Sequence, residues 1–135
     1  MTPAQSISTG AILLSVVAIA YGGTFLLKVS SGAVVTNDLQ RRYYRAGHAH
    51  AGVLVILGLV VQLVLLQAAV PVWSAALSSG ILYAAILMPA GFFLSVLGTD
   101  PPRPNALRHL IALGGVSLTV GLVGAGVGLI LAGTG

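Results

Sequence analysis

Between Arg41 and Gly52 the chain places three arginines, two tyrosines and two of its three histidines within a dozen positions. Only 6% of the residues are charged, so this is the one concentrated patch of polar chemistry. Guanidinium groups in this density hold phosphate or carboxylate by forked hydrogen bonds. Neutral imidazoles offer a ring nitrogen to a haem iron or a transition metal. The candidate cofactor ligands are therefore His48, His50 and the third histidine, His109, with His48 and His109 as the candidate metal pair. The candidate anion or lipid-headgroup contacts are Arg41, Arg42, Arg45 and Arg108. The plainer alternative is that these are interfacial histidines, bonded to water, lipid phosphate or loop carbonyls. There is no nucleophile–base pair, no carboxylate dyad and no phosphate-cradling loop placed before a helix, so no catalytic residue is assigned and a hydrolytic or transferase enzyme has no candidate machinery.

The elements that position these groups follow from composition. The 135 residues are 57% hydrophobic and include two acidic side chains. A soluble domain carries about a quarter of its residues charged. Apolar runs of about 20 residues, long enough for a hydrocarbon core of about 30 Å, mark membrane-spanning helices. We expect a single all-α domain over residues 1–135, an integral membrane four-helix bundle. Its spans are expected near 10–29, 47–70, 73–97 and 106–132. The absence of cysteine excludes disulfides, zinc–thiolate sites and thiol catalysis. No basic residue precedes the first apolar run, which is also longer than a signal-peptide core, so a cleaved signal is not expected.

Along the chain, Gly22-Gly23 predicts a close backbone approach or a mild kink in the first span, and Lys28 closes that span. Asp38 is the expected cap of the helix that carries the arginines, and Tyr43 and Tyr44 suit an interfacial aromatic belt. Gln62 and Gln67 interrupt the second span. Pro71 makes spans two and three a tight hairpin with Trp73 at its interface. Pro89 predicts a kink in span three. Asn105 can cap span four, where Gly114, Ser117, Gly121, Gly124 and Gly128 form a small-residue stripe suited to helix packing.

Lys28, Arg41, Arg42 and Arg45 lie between spans one and two, and Arg103 and Arg108 lie between spans three and four. The positive-inside rule then puts both loops in the cytoplasm and both termini outside, in a plasma (inner) membrane. All three histidines fall on the same side. On a regular helix His48 and His50 project about 200° apart. His48 shares its face with Ala51, Gly52, Val55, Gly58 and Gln62. It is expected to face the bundle interior, toward His109. His50 shares a bulky aliphatic face and is expected to meet lipid headgroups or another subunit.

Two resemblances are carried by the same stretch. Gly47-His48-Ala49-His50-Ala51-Gly52, leading into Leu57-Gly58, resembles the His-x-His helix start of the haem–copper oxidase catalytic-subunit superfamily. That likeness implies that His48 or His50 ligates haem, in a chain with fewer spans and fewer histidines than the superfamily has. Asp38, Arg42 and Arg45-Ala46-Gly47-His48 before span two also resemble the MAPEG family of four-span, glutathione-dependent membrane enzymes, which implies an anionic ligand. The acid that follows that family's motif has no counterpart in the second span. The expected function is an accessory or structural component of a membrane complex, or a homo-oligomer. The alternatives are a haem- or metal-binding redox or sensor protein, and a binder of an anionic lipid or small anion. The lipid bilayer is the expected partner and nucleic acid is not.

Overall fold

A computed structural model describes residues 3–134, apart from the side chains of residues 4 and 5. The described chain is all helix, turn and loop: α1 Pro3–Ser30, α2 Asp38–Leu66, α3 Val72–Ser78, α4 Gly80–Leu94, a 3-10 turn at Ala106–Arg108, and α5 His109–Thr134. Four stretches are long and apolar enough to cross a membrane: Ser6–Ser30, Asp38–Leu66, Val72–Leu94 and Ala106–Thr134. The shortest has 23 residues, about 35 Å of helix at 1.5 Å per residue.

Local chemistry sets the helix ends. Pro3 opens α1, where its missing N–H costs nothing. Gly32 closes it at φ +77°, and the Gly32 and Val34 amides return to the carbonyls of Val29 and Lys28. The cap of α2 is Asn37, not the expected Asp38. Its side chain accepts from the Gln40 amide while the Gln40 side chain accepts from the Asn37 amide, a reciprocal capping box. Asp38 is instead the first helical residue and pairs with Arg41. The second span ends at Leu66, four residues short of expectation. Asn105 caps the 3-10 turn, as its position predicts, by accepting from the Leu107 amide.

Span three is interrupted at Ser79, between α3 and α4, a break the sequence does not predict, while the helix continues through Pro89. Hydroxyls bond the carbonyls on either side of the break. Ser79 donates to Ala76 O at 2.6 Å, and Ser117 of α5 donates to Gly80 O at 2.8 Å.

The helices pack serially, as an open bundle. Among the described residues α1 meets α2 alone, while α2 lies against α4, and α3 and α4 lie against α5. The glycine stripe of α5 makes the tightest seam, as its spacing predicts. Gly114 faces Met88, Gly121 faces Gly80 and Ile81, Gly124 faces Leu77, and Gly128 faces Ser74. Ser74 Oγ donates to Gly124 O at 2.8 Å, and Ser117 answers from the other helix at Gly80 O. Small residues let the backbones come close enough for these bonds. On α2, Gly47, Ala51 and Gly58 form a second buried stripe, with Gly47 against Phe92 and Phe93 and Gly58 against Leu82.

Candidate functional site

The basic end of the bundle is built by two loops tied together. Asn37 Nδ2 donates to Asp100 Oδ1 and to Pro101 O, each at 2.9 Å. Gln40, buried at the start of α2, donates from Nε2 to Val96 O and Gly98 O, each at 3.0 Å. The Asn105 amide donates to Ser95 O, and its side chain donates to Leu94 O. Together these bonds hold the loop after α4 against the start of α2, so Arg41, Arg42, Arg45, Arg103 and Arg108 gather at one end. The sequence reading missed Asn37 and Gln40 as architectural residues. The three-residue spacing of the capping box was the available signal.

Arg41 and Arg42 are partly engaged. Arg41 forms a surface pair with Asp38, and Arg42 Nε donates to Asp38 O at 3.3 Å. Arg45, Arg103 and Arg108 are exposed and have no acidic partner among the described residues. They can receive an anionic headgroup or phosphate.

Beneath the arginines the rings form a ladder. Tyr44 lies edge-on to Phe25 of α1 at 5.2 Å and stacks on Phe93 of α4 at 5.6 Å. Tyr43 meets Phe92 at 5.6 Å. With Val29 and Val96, Tyr44 forms the core of this end. The tyrosines therefore join helices, and Tyr44 is buried, where the sequence placed both in an interfacial belt.

The histidines separate. His48 turns toward α1: the ring lies beside Gly22 and Gly23, where an added Cβ would stand 3.6 Å from Nδ1 and 3.7 Å from Nε2 respectively. The glycine pair thus meets a side chain at ordinary contact distance, not the backbone of a neighbouring helix that its sequence suggests. His48 makes no hydrogen bond among the described residues. His50 turns toward α4, not toward lipid. Its ring lies 5.0 Å from Phe92, and Nδ1 is 2.7 Å from Ala46 O. His109 is exposed at the start of α5, which has no contact with α1, so His48 is not directed at it as expected. Both faces of α2 are occupied because that helix is flanked by α1 on one side and α4 on the other. Among the described residues no group of three or more histidines and carboxylates converges as a metal site.

The tied loops also sharpen a prediction about topology. A reporter that is active only outside the cytoplasm, fused after Gly135, is expected to be fully active, and one fused within 98–104 to be silent. The reverse pattern would overturn the cytoplasmic assignment of the basic end.

No protein-family model matches the chain, and neither a curated protein nor a solved structure gives a match.

Proposed function

We propose that the chain is an accessory or structural membrane protein, working as a homo-oligomer or as one subunit of a larger membrane complex. The observation that carries this reading is where the polar side chains go. Ser74 and Ser117 join α3 and α4 to α5, and Asn37, Gln40 and Asn105 join the two basic loops. These groups build a rigid platform. Helix α1 rests on one neighbour, and none of its most apolar window is buried. Its apolar surface is available for lateral contact with another polypeptide in the membrane. Solubilised gently from its own membrane, the 13.6 kDa chain is expected to migrate in an assembly of at least two polypeptides. A single chain at every protein-to-detergent ratio would contradict the reading.

A second reading is favoured by the unpartnered ring of His48. An imidazole held at a helix interface with free nitrogens suits a haem iron or a metal ion, as the oxidase-like His-x-His start implies. Its readout is the absorption spectrum of the same sample, oxidised and then reduced with dithionite. A Soret band abolished in His48→Ala supports it. A flat spectrum without stoichiometric metal eliminates it.

A further inference from the structure

We propose that the crevice between α1 and α4 holds the hydrocarbon chain of an anionic membrane amphiphile, with its head at His48 and Arg45. Helices α1 and α4 both stand beside α2, and their backbones do not come within 8 Å of each other, Cα to Cα. The space between them is a cleft of about 420 Å³. Its walls include Ile12 and Ile19 from α1 and Leu82 and Ile86 from α4, and Ala51 and Val55 of α2 form its floor. Hydrocarbon is the chemistry this lining accepts.

The ends of the crevice differ from its middle. On α1 the lining positions 11, 12, 15, 18 and 19 continue at helical spacing to Gly22 and Gly23, where the His48 ring closes the crevice. On α2, His48 lies one turn before Ala51. Arg45 lies one turn before His48 on the same face, exposed and without an acidic partner among the described residues. An anionic head therefore finds a cation and an imidazole where the apolar lining stops. At the other end a smaller cleft of about 170 Å³ is lined by Thr9, Gln62, Ser78 and Ser79 among others. From Thr9 to Gly23 is about 21 Å of helix, roughly two-thirds of a hydrocarbon core. An extended chain fits this length with its head at the basic end.

A transmembrane helix is the competing occupant. Over the lining from Ile12 to Gly23, about 16 Å, a helix about 10 Å wide fills roughly 1,200 Å³, more than the roughly 890 Å³ of empty space between the walls, open side included. A helix also has no use for the cationic end. The two observations together favour a chain with a charged head.

Native mass spectrometry of the detergent-purified protein tests this with three probes: lysophosphatidylglycerol, lysophosphatidylcholine of equal chain length, and glycerol phosphate. One lysophosphatidylglycerol per chain is expected to be retained, at least fivefold over the choline lipid, and glycerol phosphate is expected not to bind. Ala18→Trp fills the crevice from α1 and should abolish retention. Ala20→Trp, on the exposed side of the same helix, should leave it intact and controls for folding. Arg45→Gln with His48→Phe should erase the headgroup preference while chain binding persists. Equal retention in Ala18→Trp and Ala20→Trp would overturn the crevice assignment. So would binding of glycerol phosphate alone, or a Soret-absorbing group that Ala18→Trp displaces. Assembly size in the Ala18→Trp variant reports separately on the accessory-subunit reading, because lateral contact does not require a filled crevice.

Discussion

Gly121→Leu is expected to lower the stability of the folded bundle by about 3 kcal/mol. A Cβ at this position would stand 2.7 Å from the Ile81 amide nitrogen and 2.8 Å from Ile81 Cγ1. The obstacle includes backbone, which cannot swing away as the end of a long side chain can. Helices α4 and α5 must therefore separate. Overpacking of this kind costs about 1–3 kcal/mol. Separation also weakens the bond from Ser117 to Gly80 O and strains that from Ser74 to Gly124 O, each worth about 0.6–1.7 kcal/mol in a membrane interior. Gly126→Leu is the control, because nothing lies within 4 Å of a Cβ at Gly126. That variant should be neutral or slightly stabilising, since leucine forms helix better than glycine by about 0.8 kcal/mol. Denaturant titration in mixed micelles measures both. Equal midpoints for the two variants would mean that the α4–α5 seam is not packed as described.

Gln40→Ala is expected to cost about 3 kcal/mol and to release the basic loops from each other. Gln40 is only 4% exposed, and one of its two acceptors is the carbonyl of Val96, which is fully buried. Alanine leaves that carbonyl unpaired, at about 1–3 kcal/mol, and breaks the reciprocal cap with Asn37, at about 1 kcal/mol. Gln40→Glu separates the two effects. The glutamate still accepts from the Asn37 amide but presents a carboxylate to two carbonyl oxygens. Burial and those carbonyls raise its folded-state pKa above the unfolded value. The variant should therefore be least impaired at acid pH. It should lose stability as the pH rises from about 4 toward neutrality. A pH-independent melting midpoint for Gln40→Glu would show that this side chain is solvated and that the loops are held in another way.

These two residues also show what the sequence makes legible. The glycine stripe of α5 follows from a repeat of three and four residues within one helix. Its packing role needed no knowledge of the partner, and the same holds for the Asn105 cap. Neighbour relations between helices are not local. A face argument for α2 assumes one buried side, but α2 is flanked on two, so His50 is packed on Phe92 as His48 is packed on α1. Tyr44 illustrates the same limit: a tyrosine beside arginines suits the interface until Phe25 and Phe93 arrive from two other helices. Pro89 carried the strongest local signal for a kink. The helix runs on through Pro89 and breaks instead at Ser79, beside a carbonyl, that of Gly80, bonded by a hydroxyl of α5 far away in sequence.

The functional account joins a tightly seamed platform of α3, α4 and α5 to a first helix held by α2 alone. It predicts that the exposed edges meet other polypeptides in the membrane. The chain has no cysteine, so an introduced thiol reports only on its own position. Val17 of α1 and Ile130 of α5 are 67% and 68% exposed, on the two outer helices of the row. Thiol-specific cross-linking of Val17→Cys and Ile130→Cys in the native membrane, before any detergent is added, is the most direct measurement. At least one of the two should give a near-stoichiometric covalent product, with a second copy of the chain or with one discrete partner. A chain that remains monomeric at both positions, and at their exposed neighbours along α1 and α5, would contradict the accessory-subunit account.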